Sequence, residues 1–151
     1  MSFAPEIVVL YCQHCVARNA NVSVVPQQAR GLTVRTTMIP CSSKVEVSHV
    51  LKILEQGADG VELVACPEDQ CRFLVGSLKA EKRIGRARGL LEEIGMGGQR
   101  LGLTRREQLS VEELLDLATA RAGAVQPLGP NPMKQEERRA ARDRCGVETD
   151  R

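Results

Sequence analysis

Ile7-Val8-Val9-Leu10-Tyr11-Cys12-Gln13-His14-Cys15 sets the architecture of this chain. Its first five residues are a continuous apolar run rich in β-branched side chains, the pattern of a strand covered on both faces. The run stops at a thiol, Cys12, and a second thiol, Cys15, follows three residues later. The same arrangement returns twice. Leu32 to Ile39, with Thr33, Val34, Thr36 and Thr37, reads as an extended segment that Pro40 blocks just before Cys41. Val61-Glu62-Leu63-Val64-Ala65 follows the turn signal Gly57-Ala58-Asp59-Gly60, and Pro67 halts it at Cys66.

Helical patterns lie between these runs. Val47, Val50, Leu51 and Leu54 recur at i, i+3, i+4 and i+7, with Ser43 and Glu46 as a capping box and Gly57 after the end. His49 falls on the exposed side of this helix. A second helix is expected from about Arg72 to Ile94, with Ile84, Ala87, Leu91 and Ile94 along one stripe, Gly95 as a stop, and Gly85 and Gly89 as weak points. Arg100 to Thr104 reads as a short fourth strand. Ser110-Val111-Glu112-Glu113 is another capping box, opening a helix that buries Leu114, Leu115 and Ala118. The connection from Cys15 to Gln28 has poor periodicity and is expected to be partly helical. Alternating strands and helices predict an α/β fold, an open doubly wound, mostly parallel sheet of about four strands with flanking helices. Residues 1–125 form this domain. From Gln126 the prolines Pro127, Pro130 and Pro132 with Gly129 and then a mixed-charge segment read as a C-terminal arm, residues 126–151, in which Glu136 to Arg144 could form a helix.

Composition excludes several function classes. A chain of 151 residues with 42% hydrophobic residues builds one core without needing staples. Its 21 basic and 19 acidic residues leave a formal charge of +2, too little for a partner recognised through phosphates, so nucleic acid is not expected. The only aromatic residues, Phe3, Tyr11 and Phe73, cannot stack bases or line a large aromatic cofactor pocket. No apolar run is long enough to span a membrane, and Met1 to Leu10 lacks the basic start and long apolar run of a secretion signal, so a cytoplasmic location is expected. No phosphate loop, Ser/His/Asp group or carboxylate pair placed for acid–base work stands out. Lys79 to Arg88 holds five bases and one acid, which suits a docking patch but reads narrowly as a solvated helical face.

The cysteines carry the chemistry. In a reducing compartment six cysteines do not imply three disulfides; free thiols there bind metal or do redox work. Strands of a parallel sheet all point one way, so Cys12, Cys41 and Cys66 line one edge, with Cys15 and Cys71 in the loops above it. Helix N-termini at that edge favour thiolates. Four thiolates around two irons and sulfide make a [2Fe–2S] cluster, the first choice here, with one of the five cysteines left over. Arg18, Lys44 and Arg72 are candidate cations to raise its potential, and His14 a candidate donor. Two other readings remain: a structural zinc site with the same ligands, and a thiol–disulfide motif at Cys12 and Cys15 with His14 lowering the thiol pKa. Cys145, in the arm, reads as an incidental thiol.

Cys12-Gln13-His14-Cys15, Pro40-Cys41-Ser42-Ser43-Lys44-Val45, the run from Gly57 through Cys66 to Cys71-Arg72-Phe73, and Glu81-Lys82-Arg83 together resemble the delta-subunit family of methyl-viologen-reducing hydrogenase, from about Ile7 to Thr104. The resemblance implies an α/β domain with one [2Fe–2S] cluster held among Cys12, Cys15, Cys41, Cys66 and Cys71. It also implies a non-catalytic electron-transfer subunit of a cytoplasmic hetero-oligomeric complex. Such a subunit stands between a hydrogenase or formate-dehydrogenase-like module and a heterodisulfide-reductase-like flavin subunit. The chain departs from the family pattern at Tyr11, where many members have a further cysteine, at Ser43-Lys44, and from Pro67 to Gln70.

Overall fold

The protein is described from a computed structural model, which defines residues 3–22, 25, 28–67, 69, 71 and 75–134. The element order is β1 (Glu6–Cys12), β2 (Gln28–Ala29), β3 (Leu32–Ile39), α1 (Val47–Glu55), β4 (Gly60–Ala65), α2 (Gly76–Glu93), β5 (Leu101–Arg105) and α3 (Val111–Val125). The strands form one sheet in the order β2-β3-β1-β4-β5. Four of them are parallel, as the apolar runs predict; the fifth, two-residue β2, pairs antiparallel with β3 at the edge and has too short a pattern to be seen in sequence.

Period-two alternation sorts the strand residues between two cores. Ile7, Val9 and Tyr11 of β1 face α3, packed with Leu114, Ala118 and Val125. Val8 and Leu10 face α1 and α2, with Val50, Leu54, Ile84 and Leu91. Each such side chain contributes about 1.5–3 kcal/mol when fully buried. Glu62 in mid-β4 falls on the α3 side, 2% exposed, where Arg121 Nε donates to it at 2.6 Å and Thr104 Oγ1 at 2.5 Å. This pairing is what lets a carboxylate sit in an otherwise apolar run.

Several local expectations are corrected. The capping box of α1 is Glu46 with His49, whose Nδ1 accepts the Glu46 N–H at 3.1 Å; Ser43 instead lies in a 3-10 turn, Ser42–Lys44. Helix α2 begins at Gly76 and not near Arg72, and Ile94, just past its last turn, is 63% exposed while Met96 turns into the core. The connection after Cys15 holds no α-helix among the described residues. It runs through turns, packs Val16, Val22 and Val25 on the α3-side core, and bridges Val16 to Leu109.

After α3 the chain makes a 3-10 turn, Gln126–Leu128, and then lies against the amino edge of the sheet. Asn131 is fully buried: its Nδ2 donates to the Leu54 and Ala58 carbonyls, each at 2.6 Å, and its backbone N–H donates to Asp59 Oδ1 at 2.8 Å. Arg100, 1% exposed, donates to the carbonyls of Met96, Asp59 and Gly129 at 3.0 Å each. Burial lowers the pKa of its guanidinium, and the facing Asp59 opposes that shift. Glu136 to Arg144 and Cys145 lie outside the described residues. No helix among the described residues is long and apolar enough to cross a membrane.

Candidate metal centre

In the sheet order, β3 and β4 flank β1 on opposite sides, so the connections leaving β1 and β4 cover opposite faces and the switch point of the sheet falls between their carboxyl ends. Cys12 ends β1 and Cys66 follows β4, one on each side of it. The Cys12–Cys15 turn closes with a hydrogen bond from the Cys15 N–H to the Cys12 carbonyl at 2.9 Å. The loop before α3 grips the turn, because the Leu109 N–H donates to the Cys15 carbonyl at 2.8 Å and the Ala17 N–H to the Leu109 carbonyl at 3.0 Å. Cys15 Sγ thereby sits 3.5 Å from Cys66 Sγ, which is 3.7 Å from Cys12 Sγ. All three sulfurs lie within 4.8 Å of one another and are buried. Disulfide sulfurs would be about 2.0 Å apart; these are free thiols at a spacing that admits a metal.

Cys41 and Cys71 meet at the start of α2. A methyl group at Gly76 would come within 2.8 Å of Cys41 Sγ and 3.0 Å of Cys71 Sγ, so both sulfurs press on the helix backbone where only a glycine leaves room. The Ser43 hydroxyl donates to Cys41 Sγ at 3.2 Å. Arg83, two turns along α2, donates to the Val45 carbonyl at 3.2 Å and to the Ser43 carbonyl, tying the Cys41 loop to the same helix.

The triad shares charge unevenly. The hydrogen bond from Cys15 pulls the Cys12 thiol down to about 5 against the effect of burial, helped by the His14 backbone N–H, the Cys66 thiol and the charge of His14. Burial pushes Cys66 up to about 11, with the facing charges of Cys12 and Cys71 adding to it. Cys15 is raised by its bond to Cys12, then by burial and by the charges of Cys66 and Cys12. Within the group the negative charge is favoured at Cys12, and a bound cation would draw the protons off Cys15 and Cys66.

The five cysteines expected at the carboxyl edge are all there, as a group of three and a pair that shares Gly76. Arg18 and Lys44, the expected cations, are exposed, and Arg72 lies outside the described residues. Gly76 and Arg83 were not signalled as site residues by the sequence. Neither was Ser77, whose hydroxyl is fully buried and has no hydrogen-bond partner among the described residues. A Gly-Ser pair opening a helix five residues after a cysteine is the signal that could have found them. The donor set fits an iron–sulfur centre on its chemistry: soft thiolates, a backbone cradle closed to any side chain, and an unused buried donor nearby.

A doubly wound α/β domain with three thiols gathered at its switch point defines the class: an α/β protein whose cysteine group could hold a metal ion. Residues 7–129 match the family model described as methyl-viologen-reducing hydrogenase, delta subunit, and the chain belongs to that family. It is 29% identical over 130 residues to an iron-sulfur subunit of the vhu F420-non-reducing hydrogenase of Methanocaldococcus jannaschii, covering 86% of this chain and 97% of that one. It is 31% identical over 129 residues to an iron-sulfur subunit of the F420-non-reducing hydrogenase of Archaeoglobus profundus, covering 83% and 92%. A further similarity, 29% over 100 residues, is to one subunit of the ferredoxin:CoB-CoM heterodisulfide reductase of Methanosarcina mazei; it takes in 66% of this chain and 13% of that protein.

Proposed function

We propose that this chain is a [2Fe–2S] electron-transfer subunit of a cytoplasmic complex. It would relay electrons between a hydrogenase or formate-dehydrogenase-like module and a heterodisulfide-reductase-like flavin subunit. The observation that carries the reading is the buried triad Cys12, Cys15 and Cys66, whose sulfurs lie within 4.8 Å of one another at the switch point. The iron–sulfur naming of the hydrogenase relatives supports the cofactor, and the likeness to part of a heterodisulfide reductase supports the partner.

Four of the five cysteines hold the cluster. Cys71 is the favoured fourth, since it packs in the same core as the triad and its charge acts on Cys66. When bound, a cluster of this kind stores one electron at a time. The chain's own part is to supply the thiolates, to donate a hydrogen bond from the His14 N–H to Cys12, and to exclude water with the walls around Tyr11, Val64 and Leu109. The exposed bases Lys79, Lys82 and Arg86 share one face of α2 and offer an acidic partner a docking surface beside the cysteines, with the C-terminal arm beyond Lys134 as a second attachment.

One observation favours a thiol–disulfide reading: Cys12 is lowered to about 5 beside a raised Cys15, as in an attacking and resolving pair. Against it, Cys12 is 2% exposed and Cys15 fully buried, closed to a protein disulfide. Anaerobic purification separates the readings. The electron-transfer subunit is brown, holds about two irons per chain and gives an EPR signal on reduction. Colourless protein with one zinc indicates a structural zinc module, and insulin-disulfide turnover abolished by Cys12→Ser indicates a thiol enzyme.

A further inference from the structure

We propose that the Ser77 hydroxyl donates a hydrogen bond to a sulfur of the bound iron–sulfur cluster and thereby favours its reduced form. This inference rests on the cluster-binding reading above. Buried hydroxyls in native proteins nearly always have a partner, so one without asks for an acceptor that binds there. Among the described residues only two buried side-chain polar atoms lack a partner, Ser77 Oγ and Arg105 Nε. Both belong to the carboxyl end of the sheet: Ser77 lies in the first turn of α2, and Arg105 is the last residue of β5. At the opposite edge, Asp59, Arg100 and Asn131 are as deeply buried, and each makes hydrogen bonds. The deficit therefore belongs to the end that carries the thiols.

Position supplies the second argument. Ser77 shares the buried stripe of α2 with Ala80, Ile84, Ala87 and Leu91, and it is the first of them, at the end where the helix meets Cys41 and Cys71. The residue before it, Gly76, is pressed by Cys41 and Cys71 Sγ. Ser77 is 0% exposed, so solvent does not satisfy it, and its hydroxyl has one proton to give. Sulfide and thiolate are acceptors only, and they gain negative charge on reduction; a donor beside them stabilises the reduced state more than the oxidised one.

The test is Ser77→Ala, with Ser77→Thr restoring the hydroxyl, in the anaerobically prepared full chain. Iron content, an EPR-monitored redox titration and urea unfolding of the metal-free form are measured on each. Ser77→Ala is expected to keep its iron and its metal-free stability while the reduced-to-oxidised ratio at fixed potential falls by about tenfold, or 59 mV for a one-electron couple. Ser77→Thr returns toward the native potential. Iron retained at an unchanged potential in Ser77→Ala overturns the inference and leaves the cluster reading intact. Iron lost from Ser77→Ala and not regained in Ser77→Thr also overturns it, since packing and not the hydroxyl would then matter. A native chain that binds no iron overturns both.

Discussion

Gly76→Ala probes the cysteine end most directly. The added methyl would stand 2.8 Å from Cys41 Sγ and 3.0 Å from Cys71 Sγ, against about 3.5–4.0 Å for unstrained contact between carbons. Overpacking of this kind costs about 1–3 kcal/mol. Alanine's helix preference over glycine returns up to about 1 kcal/mol, less in a first turn. The metal-free variant should therefore lose about 0–2 kcal/mol, because each thiol can still swing about its own χ1. On the proposed ligand set the Cys71 thiolate is committed to iron and cannot swing, so its clash falls fully on the loaded state. After anaerobic reconstitution, iron and sulfide per chain should fall below half the native value, while urea unfolding of the metal-free protein shows no more than that loss of about 0–2 kcal/mol. Gly85→Ala is the control: a methyl there meets nothing within 4 Å, so it should gain about 1 kcal/mol and keep its iron. A Gly76→Ala protein with native iron content and spectrum would refute the placement of the two sulfurs against α2.

Cys12→Ser, Cys15→Ser and Cys66→Ser should each abolish visible absorbance, Cys71→Ser should cost more iron than Cys41→Ser, and Cys145→Ser should change nothing; a bleached Cys145→Ser protein would break the ligand set. Asn131→Ala strips the buried Ala58 carbonyl of its side-chain donor and leaves the Leu54 carbonyl with the Gly57 N–H alone, and should destabilise by about 1–3 kcal/mol in urea titration, with iron content unaffected. The metal-free protein should also gain stability as pH rises from about 5 toward 9. Cys12 is lowered to about 5 from 9.0, so over that window the unfolded chain binds the extra proton, and the stabilisation is lost as pH falls through the folded value. Above 9 the sign reverses, because Cys66, raised to about 11, and Cys15 stay protonated while their unfolded counterparts ionise. Urea midpoints at pH 6, 8 and 10 check this; a flat response from 6 to 8, or one that survives Cys12→Ser, would contradict it.

Much of the framework was legible because its signals are local. Pro40 and Pro67 mark where β3 and β4 give out, and Leu32–Ile39 matches its sequence reading at both ends. With a parallel sheet, placing five thiols at one edge follows from strand direction alone. What was not legible depends on partners distant in the chain. Ser43 fits a capping rule, yet its hydroxyl goes to Cys41 Sγ, and Glu46 with His49 opens α1 instead. Ile94 continues the helical stripe on paper, but the helix ends one residue earlier and leaves it in solvent. The division of the cysteines into three and two depends on how Gly76 meets two loops, which no periodicity records. Asn131 and Arg100 likewise bond to carbonyls scattered over the fold and leave no pattern in their neighbours.

The clasp made by Arg100, Asp59 and Asn131 has a consequence for assembly. It fastens the chain at Lys134 to the pole where the strands begin, about 20 Å, the length of β1, from the pole where the thiols gather. On the proposed reading, a neighbour that docked at this pole would meet the domain on the side turned away from the thiols. Grip and conduction would then be separable: a change at the clasp would loosen the company the domain keeps while leaving its redox character untouched.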